Sequence, residues 1–170
     1  MRKRICPTRR ALPLPALLAV LVAMAPLVLL NSCSGAKGGV STSTPATVTD
    51  ADIVIPKADI TAEPTFYPAV VNGEDMEVLA LTASDGSVRT AFNTCQVCYD
   101  SGRGYYRWNG SALQCQNCGN QFAPEAVEVE VGGCNPVPIF DDSTTDDGTN
   151  ITIPLSYLQQ QQTLFANWGK

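Results

Sequence analysis

The stretch Cys95-Gln96-Val97-Cys98 is followed, after sixteen intervening residues, by Cys115-Gln116-Asn117-Cys118. Two Cys-x-x-Cys elements at this separation are typical of a metal site. Two thiolates separated by two residues in a tight turn can point at one ion, and two such turns on adjacent hairpins present four sulfurs. Gly119 follows the second turn and permits the positive φ that such a turn needs. The spacing therefore predicts paired metal knuckles.

The cysteine count keeps three chemistries open for this region. The chain has seven cysteines and no histidine. Any metal here is therefore held mainly by sulfur, which excludes a Rieske-type centre, and no histidine-dependent catalytic triad is available. Exported thiols usually oxidise, but the domain has five cysteines once Cys134 is included, so two disulfides would leave one thiol over. From spacing alone, structural zinc, iron and disulfides remain alternatives.

The first 32 residues have the pattern of an export signal. A basic stretch through Arg10 precedes an apolar run from Ala11 to Leu30, and Leu30-Asn31-Ser32-Cys33 follows. A leucine three positions before a cysteine resembles the lipobox of bacterial lipoproteins, in which the cysteine is diacylated. We therefore expect lipid on Cys33 and a protein anchored at the outer face of the bacterial cell membrane. A transmembrane helix and a plain signal peptide are the alternatives.

Composition separates a tether from a folded domain behind this signal. Residues 33–50 are mostly Gly, Ser, Thr and Ala, which predicts a flexible tether, and residues 51–170 form the predicted cysteine-rich domain. Without the first 32 residues the chain keeps six basic and sixteen acidic side chains, a net charge of −10. This charge argues against a nucleic-acid partner, and it leaves membrane attachment to the lipid.

Short alternating runs predict a mainly β domain of the α+β class. It is built from small antiparallel hairpins with zinc-ribbon or rubredoxin-like cysteine knuckles and a C-terminal helix. One hairpin is expected at the turn Ser84-Asp85-Gly86-Ser87, because Asp-Gly is a strong turn signal. A second is expected around Asn109-Gly110.

Three further segments complete the predicted domain. Ile53-Val54-Ile55-Pro56 and Ile151-Thr152-Ile153-Pro154 share an Ile-x-Ile-Pro pattern, which suggests two short strands that pair. Val127 to Val131 alternates Val and Glu, as a half-exposed strand does. Helical spacing of apolar residues extends from Pro154 to Trp168.

The stretch from Asp85 to Tyr99 resembles the core of the FtrD-like membrane iron-sulfur proteins, and the resemblance continues through Leu113–Phe122 and Gly132–Pro138. The resemblance implies an iron-sulfur centre of unspecified type, with zinc or a single iron as alternatives. Some members accompany a high-affinity iron permease, which implies electron transfer linked to iron uptake and a membrane redox or iron-permease partner. By position, the candidate ligands are Cys95, Cys98, Cys115, Cys118 and Cys134.

Many members of that family carry this domain on a multi-span membrane protein, whereas this chain resembles a lipid-anchored, stand-alone version. No general acid–base constellation is evident in the sequence, so a redox carrier or accessory protein is expected rather than a catalyst. Two other functions remain alternatives: a structural zinc ribbon that binds proteins, and a metal-free thiol–disulfide protein.

Overall fold

Strand-forming sequence dominates the domain. The computed structural model describes residues 44–170, in which eleven strands precede one α-helix. In chain order they are β1 (Val48–Thr49), β2 (Ile53–Pro56), β3 (Thr65–Val71), β4 (Glu74–Thr82), β5 (Val88–Cys95), β6 (Tyr106–Trp108), β7 (Leu113–Cys115), β8 (Gln121–Phe122), β9 (Pro136–Pro138), β10 (Thr145–Asp146), β11 (Asn150–Ile153) and α1 (Leu155–Gln161). Short 3₁₀ helices lie at Lys57–Asp59, Tyr99–Ser101, Pro124–Ala126, Asp141–Ser143 and Gln162–Phe165. The predicted mainly β class with a C-terminal helix is confirmed.

These strands form three small sheets. The main sheet has the order β1-β3-β4-β5-β9, in which β1 and β3 are parallel and the other pairs are antiparallel. The second sheet is β10-β11-β2, and the third is β6-β7-β8; both are antiparallel. The two predicted hairpins are therefore confirmed as β4–β5 and β6–β7.

The two Ile-x-Ile-Pro segments pair, as their similarity suggests. Ile53 lies opposite Ile153, and Ile55 lies opposite Ile151. All four isoleucines are buried. Because alternate residues of a strand point to the same face, this register directs all four apolar side chains to one core.

Both faces of the main sheet are covered, and β4 contributes buried side chains to both faces. Met76, Val78 and Ala80 belong to one buried cluster, which includes Leu158 of α1; we call it the helix-side core. Leu79 and Leu81 belong to the other cluster, which we call the cysteine core. The buried members of the cysteine core are Leu79, Leu81, Ala91, Cys95, Tyr106, Leu113, Cys115, Phe122 and Val127.

Sequence patterns missed the strand β3, and the reason is its proline. Pro68 lacks an N–H and normally argues against an inner strand. The neighbouring strand β1 is only two residues long and lies opposite Ala69 and Val70. Pro68 therefore lies beyond the end of β1, where no neighbouring strand needs an N–H from it.

The strand predicted over Val127 to Val131 is wrong. The N–H groups of Val129 and Glu130 both donate to the Ala126 carbonyl, at 3.0 and 2.9 Å, which makes this segment a turn. Glu128 has a φ of +65°, and its side chain turns inward. Its Oε1 accepts the Thr90 backbone N–H at 2.5 Å. Alternation alone could not distinguish a strand from this turn.

The structure adds detail at both ends of the predicted domain. Val48 and Thr49, which fall in the predicted tether, form β1, so regular structure begins before residue 51. The predicted helix from Pro154 to Trp168 is α-helical only as far as Gln161 and continues as a 3₁₀ helix. Within residues 44–170, no helix has the length and apolar character needed to cross a membrane. The predicted signal and Cys33 lie outside the described residues.

Candidate metal centre

The first knuckle begins where β5 ends, at Cys95. The backbone N–H of Cys98 donates to the Cys95 Sγ at 3.3 Å, as expected for a turn wrapped around sulfur. Gly104 lies directly against this turn, and its carbonyl accepts the Cys95 N–H at 2.6 Å. A Cβ on Gly104 would lie 2.3 Å from the backbone carbonyl atoms of Cys98. A glycine is therefore required here by close packing.

The second knuckle begins where β7 ends, at Cys115. Gly119 has the predicted positive φ, at +77°, and its N–H donates to the Cys115 carbonyl at 2.9 Å. The N–H of Gln116 donates to the Tyr105 carbonyl at 2.8 Å. Since Tyr105 directly follows the Gly104 that supports the first knuckle, one short segment holds both knuckles together.

Cys134 approaches the knuckles from a separate loop. The N–H of Gln96 donates to the Asn135 carbonyl at 3.0 Å, and the Gln96 Oε1 accepts the Gly132 N–H at 2.9 Å. Gly132 and Gly133 both have positive φ, +88° and +77°. The first knuckle and the glycine pair therefore position this cysteine.

Four sulfur atoms converge in one place. The Sγ atoms of Cys95, Cys98, Cys115 and Cys134 all lie within 4.8 Å of one another. The Cys118 Sγ is not part of this group, but it lies 2.9 Å from the Cys134 Sγ. All five cysteines are free thiols in this structure. The sequence paired Cys118 with the other three knuckle sulfurs, whereas the structure puts Cys134 in that group.

Burial decreases from one side of the centre to the other. Cys95 and Cys115 are buried, Cys98 and Cys134 are half-buried, and Cys118 is exposed. Tyr106 is 1% exposed, and its hydroxyl lies 4.0 Å from the Cys134 Sγ. The centre therefore has an apolar inner side, and its outer side at Cys118 contacts solvent.

Asn93 links the centre to the main sheet, a role that no sequence pattern indicated. Its Oδ1 accepts the Tyr106 N–H at 2.7 Å, and its Nδ2 donates to the Tyr106 carbonyl at 3.2 Å. The same Nδ2 donates to the Glu77 Oε1 at 2.6 Å. Asn93 is 2% exposed, and its side chain holds β6 against β5.

The thiols differ in how readily they ionise. Burial opposes ionisation of Cys95, but hydrogen bonds from Tyr106 and from the backbone N–H groups of the first knuckle outweigh it, and the pKa of Cys95 is lowered. Burial raises the pKa of Cys98 to about 11. Hydrogen bonding to Cys134 and to the Asn120 backbone lowers the pKa of Cys118 to about 7.

The donor set fits a sulfur-ligated metal. Metal ligands of this kind must be thiolates. Backbone N–H groups directed at sulfur stabilise thiolates and influence the potential of an iron centre. The closed inner wall limits the access of water. No general acid–base arrangement is needed to account for this cluster.

The fold and the cluster thus define a class: a small antiparallel β protein whose cysteine cluster is compatible with metal binding. The sequence model of the family described as "Membrane iron-sulfur containing protein FtrD-like" matches residues 61–165. The chain therefore belongs to this family of membrane-associated iron-sulfur proteins, which confirms the resemblance. No curated protein and no solved structure matches the chain. The roles of the individual cysteines as ligands stay a prediction.

Proposed function

We propose that this protein is a lipid-anchored, extracytoplasmic carrier of a cysteine-ligated iron-sulfur centre that transfers electrons in support of iron uptake. The observation that carries the proposal is the convergence of sulfur atoms from three separate segments in a chain of the FtrD-like family. The residues that would hold the centre are Cys95, Cys98, Cys115, Cys118 and Cys134.

When bound, an iron centre of this kind supplies one-electron transfer at a potential set by its surroundings. The chain itself provides the surroundings. Tyr106 and Leu113 of the cysteine core exclude water from the inner side. The Cys98 N–H is directed at sulfur. On the outer side, exposed Cys118 puts the centre close to the surface, where a partner can exchange electrons with it.

The anchor completes the proposed arrangement. Lipid on Cys33 would hold the acidic domain at the outer face of the cytoplasmic membrane, within reach of a membrane redox protein or an iron permease. The predicted tether would separate the domain from the lipid. Incorporation of labelled fatty acid tests the anchor: we expect it in the wild type and its loss in Cys33→Ser, whereas equal labelling of both would contradict this step.

Metal analysis of the full-length protein, purified anaerobically, tests the central step. We expect iron with visible absorption. Cys115→Ser should lose most of that iron, because it removes a buried member of the cluster. Cys33→Ser is the matched control, since it makes the same chemical change outside the cysteine cluster. Full iron content in Cys115→Ser would contradict the proposal.

A structural zinc ribbon that binds proteins is the second candidate. The observation in its favour is the four close sulfurs, because structural zinc is almost always four-coordinate and four cysteines are one of its usual ligand sets. The same metal analysis separates the two candidates. A colourless protein with one zinc per chain would favour the zinc ribbon. Metal-free protein whose thiol count changes on reduction would point instead to a thiol–disulfide protein.

A further inference from the structure

We infer that Val97, Val129 and Val131 form an exposed apolar surface beside the cysteine cluster, which we call the valine patch. It is the docking surface for a redox partner protein whose own apolar contact surface has a basic rim. The inference rests on the proposed function and deepens it. It specifies the surface through which electrons pass and the chemistry of the partner.

Exposed apolar side chains concentrate next to the cysteines. Val97, Val129 and Val131 are 63%, 60% and 66% exposed, the highest values among the large apolar side chains of residues 44–170. Val97 lies inside the first knuckle, and the other two valines lie shortly before Cys134. Apolar side chains exposed together mark interaction surfaces more often than chance placement does.

Gln96 brings the two valine-bearing segments together. Its Oε1 accepts the Gly132 N–H at 2.9 Å, and its own N–H donates to the Asn135 carbonyl at 3.0 Å. Val97 directly follows Gln96, and Val131 directly precedes Gly132. Two exposed valines therefore flank the contact between the first knuckle and the loop of Cys134.

The valine patch borders the outer side of the cysteine cluster. Gly132 and Gly133 separate Val131 from Cys134, and both glycines are exposed. Nothing lies within 4 Å of a Cβ added to either glycine. The Cys134 Sγ is 2.9 Å from that of exposed Cys118. A protein that covers the valines can therefore bring its redox group close to the sulfur atoms.

The rim of the valine patch is mainly acidic. Glu125 and Glu130 are exposed in the segment that leads to Cys134, and no basic residue occurs between positions 107 and 170. Beside the first knuckle, exposed Asp100 and Arg103 offset each other. An apolar centre with a polar rim is the usual anatomy of a protein interface. An acidic rim attracts a partner with a basic rim and accelerates their association.

The same charges argue against two other occupants of the valine patch. A second copy of the chain would bring acidic rims together, which is unfavourable. Anionic lipid headgroups attract basic segments rather than acidic ones. A redox protein with a basic rim matches both the apolar side chains and the charge around them.

Stopped-flow electron transfer from the reduced, iron-loaded, full-length protein to oxidised cytochrome c, a basic haem protein, tests the docking surface. One electron leaves the iron centre and reduces the haem iron from Fe(III) to Fe(II), and no bond forms or breaks. We expect Val129→Ser/Val131→Ser to lower the second-order rate constant about tenfold, because less apolar surface is buried on docking. Iron content and reduction potential should match those of the wild type.

Val54→Ser is the matched control for the double variant. Val54 is 51% exposed and lies in β2, whose sheet contains no cysteine. This variant should transfer electrons at the wild-type rate. An unchanged rate constant in the double variant, or an equal decrease in Val54→Ser, would overturn the inference.

Hydrogen exchange locates the contact independently of electron transfer. In detergent, cytochrome c should slow exchange of the iron-loaded, full-length protein at residues 129–132 and leave Asn150–Ile153 unchanged. Slowing in phosphatidylglycerol vesicles without cytochrome c would assign the valine patch to a lipid surface. Slowing that increases with protein concentration would assign it to a second copy. Either result would overturn the inference.

The outcomes also separate this inference from the proposed function. Iron-loaded wild type that reduces cytochrome c at a rate independent of the valine patch would overturn the inference and leave the proposed function standing. Wild-type protein without iron would contradict the proposed function, and the inference would fail with it.

Discussion

The two faces of the main sheet are covered by different kinds of structure. On the helix-side core, aromatic rings pack against one another: the centroids of Phe92 and Phe165 are 5.8 Å apart, and those of Phe165 and Trp168 are 5.9 Å apart. On the cysteine core, the covering strands β6, β7 and β8 have only two or three residues each. Strands this short bury little apolar surface, so we expect sulfur–metal bonds to contribute much of the stability on this face.

The two cores meet at Asn93. Its side chain holds β6 on the cysteine core, and its carbonyl accepts the Trp168 Nε1–H at 2.7 Å from the C-terminal segment. One sheet therefore supports a part stabilised by apolar packing and a part that we expect to depend on its ligands for stability.

The largest expected effect comes from Gly104→Ala. The new Cβ would lie 2.3 Å from the Cys98 backbone, so the first knuckle must move away from β6. We expect loss of most bound iron, measured by metal analysis, while the far-ultraviolet circular dichroism of the main sheet persists. Gly86→Ala is the control: its φ of +83° strains the β4–β5 turn, but nothing lies within 4 Å of the added Cβ, so the iron content should match that of the wild type. Equal iron in Gly104→Ala and wild type would contradict this packing account.

Phe165→Ala should act on the other core. Phe165 is 1% exposed, and removing a buried aromatic ring costs about 3–5 kcal/mol of unfolding free energy. We expect a lower thermal midpoint with unchanged iron per folded chain. Gln159→Ala changes an exposed residue of α1 and should leave both quantities close to wild type. Loss of iron at temperatures where the variant is folded would show that the cores are not separable.

A smaller effect is expected from Glu128→Ala. The Glu128 carboxylate accepts the N–H of Thr90, a residue only 4% exposed, so truncation leaves a buried donor unpaired. An unpaired buried donor lowers the free energy of unfolding by about 1–3 kcal/mol. Denaturant unfolding should detect this decrease. Exposed Glu130→Ala is the matched control, and equal stability of the two variants would refute this role for Glu128.

The smallest effect is a pH dependence at Glu77. Burial raises the pKa of this carboxyl group, against the lowering effects of Asn93 and Arg107. A raised pKa in the folded state means that stability from the protonated form is complete below the ordinary value of 4.5 and is lost as pH rises through the folded-state pKa.

Glu77→Gln imitates the protonated group and can still accept from Asn93. The variant should therefore be more stable than wild type at pH 7, and the gap should close as the pH falls through the folded-state pKa towards 4.5. Asp75→Asn, at an exposed position of the same strand, is the control. A gap of constant size between pH 7 and pH 4 in denaturant unfolding would contradict the assignment.

Local signals predicted much of the fold. Gly86 and Gly110 both have the positive φ that their turns require, and the repeated isoleucines paired because both strands bury the same face. The strand β3 could not be predicted, because its compatibility with Pro68 depends on how short β1 is. The turn at Glu128 depends on a distant partner, Thr90, that a local pattern does not contain.

The sequence names the five candidate cysteines, whose roles as ligands stay a prediction, and the structure adds their arrangement. Spacing within the sequence identifies Cys115 and Cys118 as neighbours on one turn, which is correct. Spacing does not show that a loop tied to Gln96 returns Cys134 to within 2.9 Å of Cys118. The polar link through Asn93 is likewise invisible, since its partners are set by tertiary packing.

Hydrogen exchange on iron-loaded and metal-free protein distinguishes the two cores. We expect the cysteine core to depend on its metal and the helix-side core to be independent of it. Removal of iron should abolish amide protection in Tyr106–Trp108 and Leu113–Cys115, while amides of Thr65–Val71 and Asn150–Ile153 stay protected. Unchanged protection of both regions, or simultaneous loss in both, would contradict the account.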